Sequence, residues 1–212
     1  TLFDCAKVDS SYGISYMAMS HFLLSLGFLS NWIGMMEFNL MLENKYDKFL
    51  ATVKEQNAGK DWYDIRKKMS AVPALKKAIL TFMAEDEYEE TRKLIDERIK
   101  TYDATKLKED LSLYLEHYPE KKIVFFIDEM SEALSQKKIN LLDLEGLSEA
   151  LSSLGNRVWT VGIAQQAFND VLNASGLNIH QLNKVEARFK TRIPIAAEEI
   201  DTIIRKRLLA KT

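Results

Sequence analysis

The chain has 212 residues, of which 47% are hydrophobic and 28% charged, and its formal net charge is -2. This composition excludes a disordered or fibrous chain and argues against a protein that coats nucleic acid through a general positive charge. The length suffices for one sizeable hydrophobic core, with or without a small appendage. The single cysteine, Cys5, cannot form an internal disulfide and fits a reducing, cytoplasmic location.

The first stretch of the chain is apolar. Residues 2–8 predict a short strand, interrupted by Asp4. Residues 10–36 contain no Asp, Glu, Lys or Arg and are long enough to raise a membrane-spanning helix. Small and polar residues recur there at helical spacing, which instead favours a buried helix packed closely against other elements, outside any membrane. This stripe consists of Ser20, His21, Gly27, Ser30, Asn31 and Gly34.

Residues 43–120 are rich in charges of both signs, and their apolar residues recur at helical spacing. Breaks at residues 57–59 and around Val72 and Pro73 predict three or four helices. We expect Trp62 and Tyr63 to anchor these helices to a core. The acidic cluster at residues 85–87 is typical of a solvated helix face.

Residues 123–129, reading IVFFIDE, predict a strand that is buried on both faces and ends in two carboxylates. The carboxyl ends of parallel strands border the crevice in which α/β sheets bind ligands. Asp128 would suit a Walker B element, in which it would hold magnesium through the ion's shell of waters. Glu129 would polarise an attacking water. Alternatively, Asp128 caps the helix that starts near Glu129.

A second strand follows at residues 157–164, after an amphipathic helix that begins near residue 141 and ends near Gly155. A strand, a helix and a strand at this spacing imply a parallel crossover. The crossover would bring Gln165 to the sheet edge that carries Asp128 and Glu129. There Gln165 could contact a phosphate or orient a water, or it could simply start a helix.

The end of the chain combines a short extended run with an amphipathic helix. Residues 188–196 predict a strand near a sheet edge, and the helix begins at Glu198. The apolar face of this helix carries Ile200, Ile203, Ile204, Leu208 and Leu209, with Arg205, Lys206 and Arg207 among them.

Together, LFDCAKV, IVFFIDE, VGIAQQ, EARFKTRIPI and EEIDTIIRKRLLAK resemble the succession of segments in P-loop ATPases of the AAA+ and STAND groups. The closing run is most similar to the large ATPase of bacterial phage-exclusion (BREX) systems. The resemblance covers about the first 40 residues and residues 121–212, outside the helical middle.

The resemblance implies a partial P-loop NTPase core, an α/β fold with a parallel sheet, in residues 1–42 and 121–212, with a helical insertion at 43–120. By the same resemblance, Asp128 and Glu129 match the Walker B acids and Gln165 lies near the sensor position. Arg188 matches the arginine that reaches a neighbouring subunit's γ-phosphate, although a surface ion pair is its alternative role. ATP and magnesium would be the cofactors of the intact protein. Its partners would be further copies of itself and other defence proteins.

The chain also departs from the family pattern. It contains no G-x-x-x-x-G-K-[ST] sequence, so the loop that cradles phosphates is absent from these 212 residues. The usual sensor threonine or asparagine is missing from VGIAQQ, unless Thr160 or Gln165 serves instead. We therefore expect a piece of a longer ATPase that neither binds ATP tightly nor hydrolyses it by itself.

Two other functions fit the sequence. In the first, the helical region binds a protein partner and the sheet is a degenerate, non-enzymatic scaffold. In the second, the chain is a regulatory domain that binds DNA through basic residues near its end. These residues are Lys184, Arg188, Lys190, Arg192 and the basic residues of the closing helix.

Overall fold

The computed structural model describes residues 1–7 and 12–163, together with residues 191 and 193. In this part of the chain three strands form a parallel sheet in the order β1, β2, β3. They are β1 (Leu2–Asp4), β2 (Ile123–Asp128) and β3 (Val158–Gly162). The structure confirms an α/β fold with a small parallel sheet. The first strand is shorter than the sequence predicts, because the chain turns into a 3-10 helix at Cys5–Lys7.

Nine α-helices accompany the sheet in the described residues. They are α1 (Gly13–Ser25), α2 (Trp32–Leu42), α3 (Tyr46–Gln56), α4 (Trp62–Ile65), α5 (Ala71–Ile79), α6 (Glu85–Lys100), α7 (Ala104–His117), α8 (Met130–Ser135) and α9 (Leu141–Ser152).

Side-chain caps fix the start of three helices. The side chain of Asn31 accepts a hydrogen bond from Ile33 N at the start of α2, and Asp103 accepts one from Lys106 N at the start of α7. Asn140 accepts one from Asp143 N before α9. Each cap satisfies an amide that has no acceptor within its own helix.

Gly27 divides the charge-free stretch at residues 10–36 into two helices. Its φ of 84° lies in the left-handed region, which a glycine adopts without a steric penalty. Gly27 N donates to Leu24 O and Phe28 N donates to Leu23 O, which is the hydrogen-bond pattern of a Schellman end to α1. Neither resulting helix is long enough to cross a bilayer, nor is any other helix in the part of the chain that the structure describes.

Residues 43–120 form five helices, α3 to α7, which is more than the sequence predicts. The predicted break at Pro73 is wrong, because Pro73 lies in the first turn of α5. An amide at that position has no acceptor within the helix, so a proline there costs no helical hydrogen bond. The actual interruption lies just before α5, at residues 66–70.

Side chains from the helices and the sheet share one hydrophobic core. Trp62 is buried in it, as expected, whereas Tyr63 is 46% exposed and lies outside this core. The acidic cluster at residues 85–87 is exposed in the first turn of α6, as predicted. The division into an ATPase core and a helical insertion stays a prediction.

The sheet is buried on one face only, as far as residues 1–7 and 12–163 show. Phe3, Phe125 and Ile127 point into the core, where the rings of Phe22 and Phe125 lie 6.5 Å apart. Phe126 points to the opposite face and is 40% exposed. In the described residues β2 is therefore buried on the Phe125 side, where α1 brings Phe22 against it, and burial of its second face stays a prediction.

Candidate functional site

Two carboxylates lie side by side where the first two strands end. The parallel register pairs Phe3 with Ile127 and Asp4 with Asp128. Side chains alternate between the faces of a strand, so Asp4 and Asp128 lie on the face that also carries Phe126. The carboxyl edge of the sheet therefore presents two adjacent acids, of which the sequence predicted only Asp128 as a site residue.

Asp128 is half-buried, and its Oδ1 accepts a hydrogen bond of 2.9 Å from the amide of Glu129. The sequence allowed Asp128 to cap the following helix as an alternative role. In the structure its side chain bonds to the amide of Glu129, which precedes that helix. The helix that follows, α8, has Glu129 as its N-cap residue, and no side chain bonds to its first amides. Asp128 therefore stabilises the turn after β2 but does not cap α8.

Glu129 has a left-handed backbone conformation, with φ of 55° and ψ of 31°. For a residue other than glycine this conformation costs of the order of 1 kcal/mol, and such residues concentrate at functional sites. Glu129 joins the end of β2 at Asp128 directly to the first residue of α8. The two acids of the IVFFIDE motif therefore belong to a sharp turn between the central strand and α8.

Lys7 brings a positive charge to these acids. Its Nζ lies 2.9 Å from Asp4 Oδ2, and Asp4 Oδ1 accepts a hydrogen bond from the amide of Ala6. The hydrogen bond from Lys7 lowers the pKa of Asp4. The same bond raises the pKa of Lys7, and the charges of Asp128 and Glu129 add to this effect. Asp4, Asp128, Glu129 and Lys7 therefore form one electrostatic group.

Cys5 lies beside this group but is no candidate nucleophile. Burial, followed by the charges of Asp4 and Asp128, raises the pKa of its thiol to about 12. A nucleophilic cysteine needs a thiolate near neutral pH. The thiol contributes to the core beneath the site.

The segment that carries Lys7 is bonded to the turn after α8 by a second lysine. Lys138 Nζ donates a hydrogen bond to the backbone oxygen of Ala6. The 3-10 helix at Cys5–Lys7 also packs against α8. The segment that follows Asp4 is thus held against the segment that follows Asp128.

The chemistry available at this edge is that of oxygen ligands with the Lys7 ammonium paired to one of them. No group of three or more His, Cys, Asp or Glu side chains is placed to hold a metal ion within the described ranges. A cavity of about 240 Å³ lies elsewhere, between the first turns of α1, α7 and α9. Its walls do not include Asp4, Lys7, Asp128 or Glu129.

Sequence reasoning missed Asp4 and Lys7. The available signal was the similarity between LFD and FID, in which two apolar residues are followed by aspartate at the end of a strand. Gln165 and Arg188, the other predicted site residues, lie outside the described residues. Their placement beside Asp128 and Glu129 stays a prediction.

No protein-family model matches the chain, and no solved structure matches it.

Proposed function

We propose that this chain carries the magnesium and water-activating half of an ATPase core, in a bacterial defence protein similar to the large BREX ATPase. The observation that supports this most strongly is the pairing of Asp4 with Asp128 at the carboxyl edge of a parallel sheet, directly before Glu129. Ligands of open α/β sheets bind at this edge.

Asp128 is the residue that would hold magnesium in this proposal. A carboxylate has about four acceptor positions, and the Glu129 amide uses one of them in the structure. Magnesium retains several of its waters and is bound through one or two carboxylates together with substrate phosphates, so it does not require a cage of three protein ligands. The donor chemistry of Asp128, with Asp4 beside it, fits such a hydrated ion.

Glu129 would act on the attacking water. The bound nucleotide would supply the γ-phosphoryl group, and a carboxylate beside it can orient a water and accept its proton. The left-handed backbone of Glu129 supports this role, because the structure maintains a strained conformation at the residue that directly follows the magnesium ligand. Lys7 would reduce the repulsion between the acids and an incoming polyphosphate.

The phosphate-cradling loop would come from outside these 212 residues, since the sequence contains no G-x-x-x-x-G-K-[ST]. In the intact protein Gln165 would serve as the sensor. Arg188 would reach the nucleotide of a neighbouring copy, which requires a homo-oligomer. Other defence proteins, and DNA as an alternative, would be the partners.

The test measures magnesium-dependent ATP hydrolysis by the longer protein of which, in this proposal, the chain is a part. Glu129→Gln should lower turnover by about 10² to 10⁴-fold, the usual contribution of a general base. Glu132→Gln is the matched control, because Glu132 is an exposed residue of α8 bonded to Gln136. It should leave turnover unchanged.

Two results would contradict the proposal. Full-length turnover that is insensitive to both Glu129→Gln and Asp128→Asn would remove the assigned roles and favour a non-enzymatic interaction module. Turnover by the 212-residue chain alone, lost on Glu129→Gln, would show that the chain holds a complete site and is not half of one.

A further inference from the structure

An open apolar face extends across all three strands of the sheet. We call it the open face, and it consists of Leu2, Val124, Phe126, Trp159 and Val161. The register places Leu2 beside Phe126 and Phe126 beside Val161, so the side chains form a continuous row. Leu2 is 62% exposed and Trp159 is 59% exposed.

Such a face is unusual for a parallel sheet. Parallel sheets occur almost only with both faces covered, and contiguous exposed apolar patches mark contact surfaces. In the described residues the helices that contact the strands include α1 and α9, and the ring of Phe22 in α1 lies against Phe125 on the buried face. Leu2, Phe126, Trp159 and Val161 therefore stay exposed in residues 1–7 and 12–163, and the open face lacks a covering element there.

The chain itself offers that element. We propose that residues 198–209 form a helix that packs its apolar stripe against the open face. Ile200, Ile203, Ile204 and Leu208 are spaced so that a helix would place them on one side. Arg205 would lie about 100° from Ile204 around that helix, toward its polar side.

The dimensions of the two surfaces agree. A helix over residues 198–209 would be about 18 Å long, at about 1.5 Å per residue. The longest strand, β2, has six residues, which corresponds to about 20 Å. The outer strands of a three-stranded sheet lie about 10 Å apart, close to the diameter of one helix. One helix could thus cover the row from Leu2 to Val161.

The connection imposes no constraint. The described chain leaves β3 at Gly162, on the outer strand of the sheet, and residues 163–197 precede the helix. At a reach of about 3.3 Å per residue this segment can cross the width of the sheet several times. The proposal concerns packing within the chain and does not depend on nucleotide chemistry.

The experiment uses acrylamide quenching of tryptophan fluorescence in the full 212-residue protein. Ile204→Glu should detach the helix and raise the quenching constant about twofold, because a locally opened face admits the quencher to Trp159. Arg205→Glu introduces the same side chain on the polar side and should leave quenching unchanged. The difference between the two variants should disappear in a Trp159→Phe background, which excludes Trp32 and Trp62 as its source.

A second measurement covers the case in which Ile204→Glu disturbs folding. Val161→Cys combined with Ile204→Cys should form an intramolecular disulfide on mild oxidation, whereas Val161→Cys combined with Arg205→Cys should not. Equal quenching in the wild type and Ile204→Glu, or equal cross-linking of both pairs, would overturn the proposal. A disulfide that joins two chains, with a dimer in sedimentation, would instead assign the open face to a second copy and would equally overturn it.

Discussion

Glu37 Oε1 accepts a hydrogen bond of 2.8 Å from Trp62 Nε1, and neither side chain is more than 1% exposed. The same oxygen accepts bonds from the hydroxyl of Tyr46 and from Arg66 Nη1, at 2.9 Å and 3.0 Å. Oε2 accepts one from the amide of Leu29 at 3.1 Å. One buried carboxylate thus joins α2, α3, α4 and the loop before α2.

Replacing Glu37 by glutamine should destabilise the protein by about 3–5 kcal/mol, because the change leaves the Arg66 charge buried without its partner. Glu43→Gln is the matched control. Glu43 pairs with Lys45 at an exposed position, and losing such a pair costs about 0–1 kcal/mol. Urea denaturation of both variants measures the two costs. A cost below about 1 kcal/mol for Glu37→Gln would show that the network does not stabilise the fold.

The backbone of α2 at Gly34 lies so close to the backbone of Leu29 that no side chain fits there. A Cβ atom built at Gly34 would lie 1.7 Å from the carbonyl oxygen of Leu29, whereas one built at Gly146 would meet only the Cβ of Ala104, at 3.8 Å. Gly34→Ala should therefore cost about 3 kcal/mol or more, through displacement of the backbone. Gly146→Ala should stabilise α9 by about 0.5–1 kcal/mol.

Thermal unfolding of the two variants tests this contrast, because both make the same chemical change within a helix. Opposite shifts of Tm are expected, downward for Gly34→Ala and upward for Gly146→Ala. Shifts of the same sign would mean that the loop at Leu29 can move away without penalty.

The sequence predicted those parts of the fold that depend on short-range signals. Apolar runs located β2 and β3, and the spacing of leucines located α9. Gly27 was also readable, since a glycine after an apolar helix commonly marks its end, yet the absence of charge favoured one long helix. Pro73 misled because its effect depends on its position within the helix.

The sequence predicted Asp128 and Glu129 but not Asp4 and Lys7, because those two reach the site through contacts between residues far apart in the chain. Asp4 meets Asp128 through a strand pairing that spans more than half of the chain, and the sequence contains no local sign of that register. The Glu37 network is similar, since it depends on three helices meeting at one carboxylate. Asp128 and Glu129 could be found because a buried strand directly precedes them.

Arg157 connects the start of β3 with the end of α7. Its guanidinium donates hydrogen bonds to the backbone oxygens of Leu115, Tyr118 and Lys121, at 2.9 Å, 2.7 Å and 3.0 Å. Lysine keeps the charge but lacks the planar fork that bonds several acceptors at once. Arg157→Lys should therefore destabilise the protein by about 1–3 kcal/mol.

The control for Arg157→Lys is Lys93→Gln, which removes an exposed pair with Glu97 at 3.9 Å and should cost about 0–1 kcal/mol. Hydrogen exchange adds a local readout. Amides at the end of α7 and in β3 should exchange faster in Arg157→Lys. Unchanged exchange there, with unchanged stability, would assign Arg157 to solvent contacts only.

Stability should fall in alkaline solution because several buried groups stay neutral in the folded state. Burial raises the pKa of Cys5 from 9.0 to about 12 and that of Tyr16 from 10.0 to about 12. Burial also raises the pKa of Tyr46 and Tyr102. The unfolded chain releases these protons first, so the folded state binds more protons above pH 9. Stability is therefore retained below the unfolded pKa values and lost as pH rises toward about 12.

Urea midpoints measured from about pH 8 to about pH 11 should decrease steadily in the wild type. Cys5→Ala should lower stability by roughly 1 kcal/mol at neutral pH through lost packing, and its dependence on pH should be shallower because one titrating group is gone. The native thiol should also react slowly with a thiol reagent near neutral pH and rapidly once urea unfolds the chain. Rapid labelling of the native protein would mean that β1 detaches readily and that Asp4 is not held beside Asp128, whereas a flat pH profile would mean that the buried thiol and hydroxyls titrate at their ordinary pKa values.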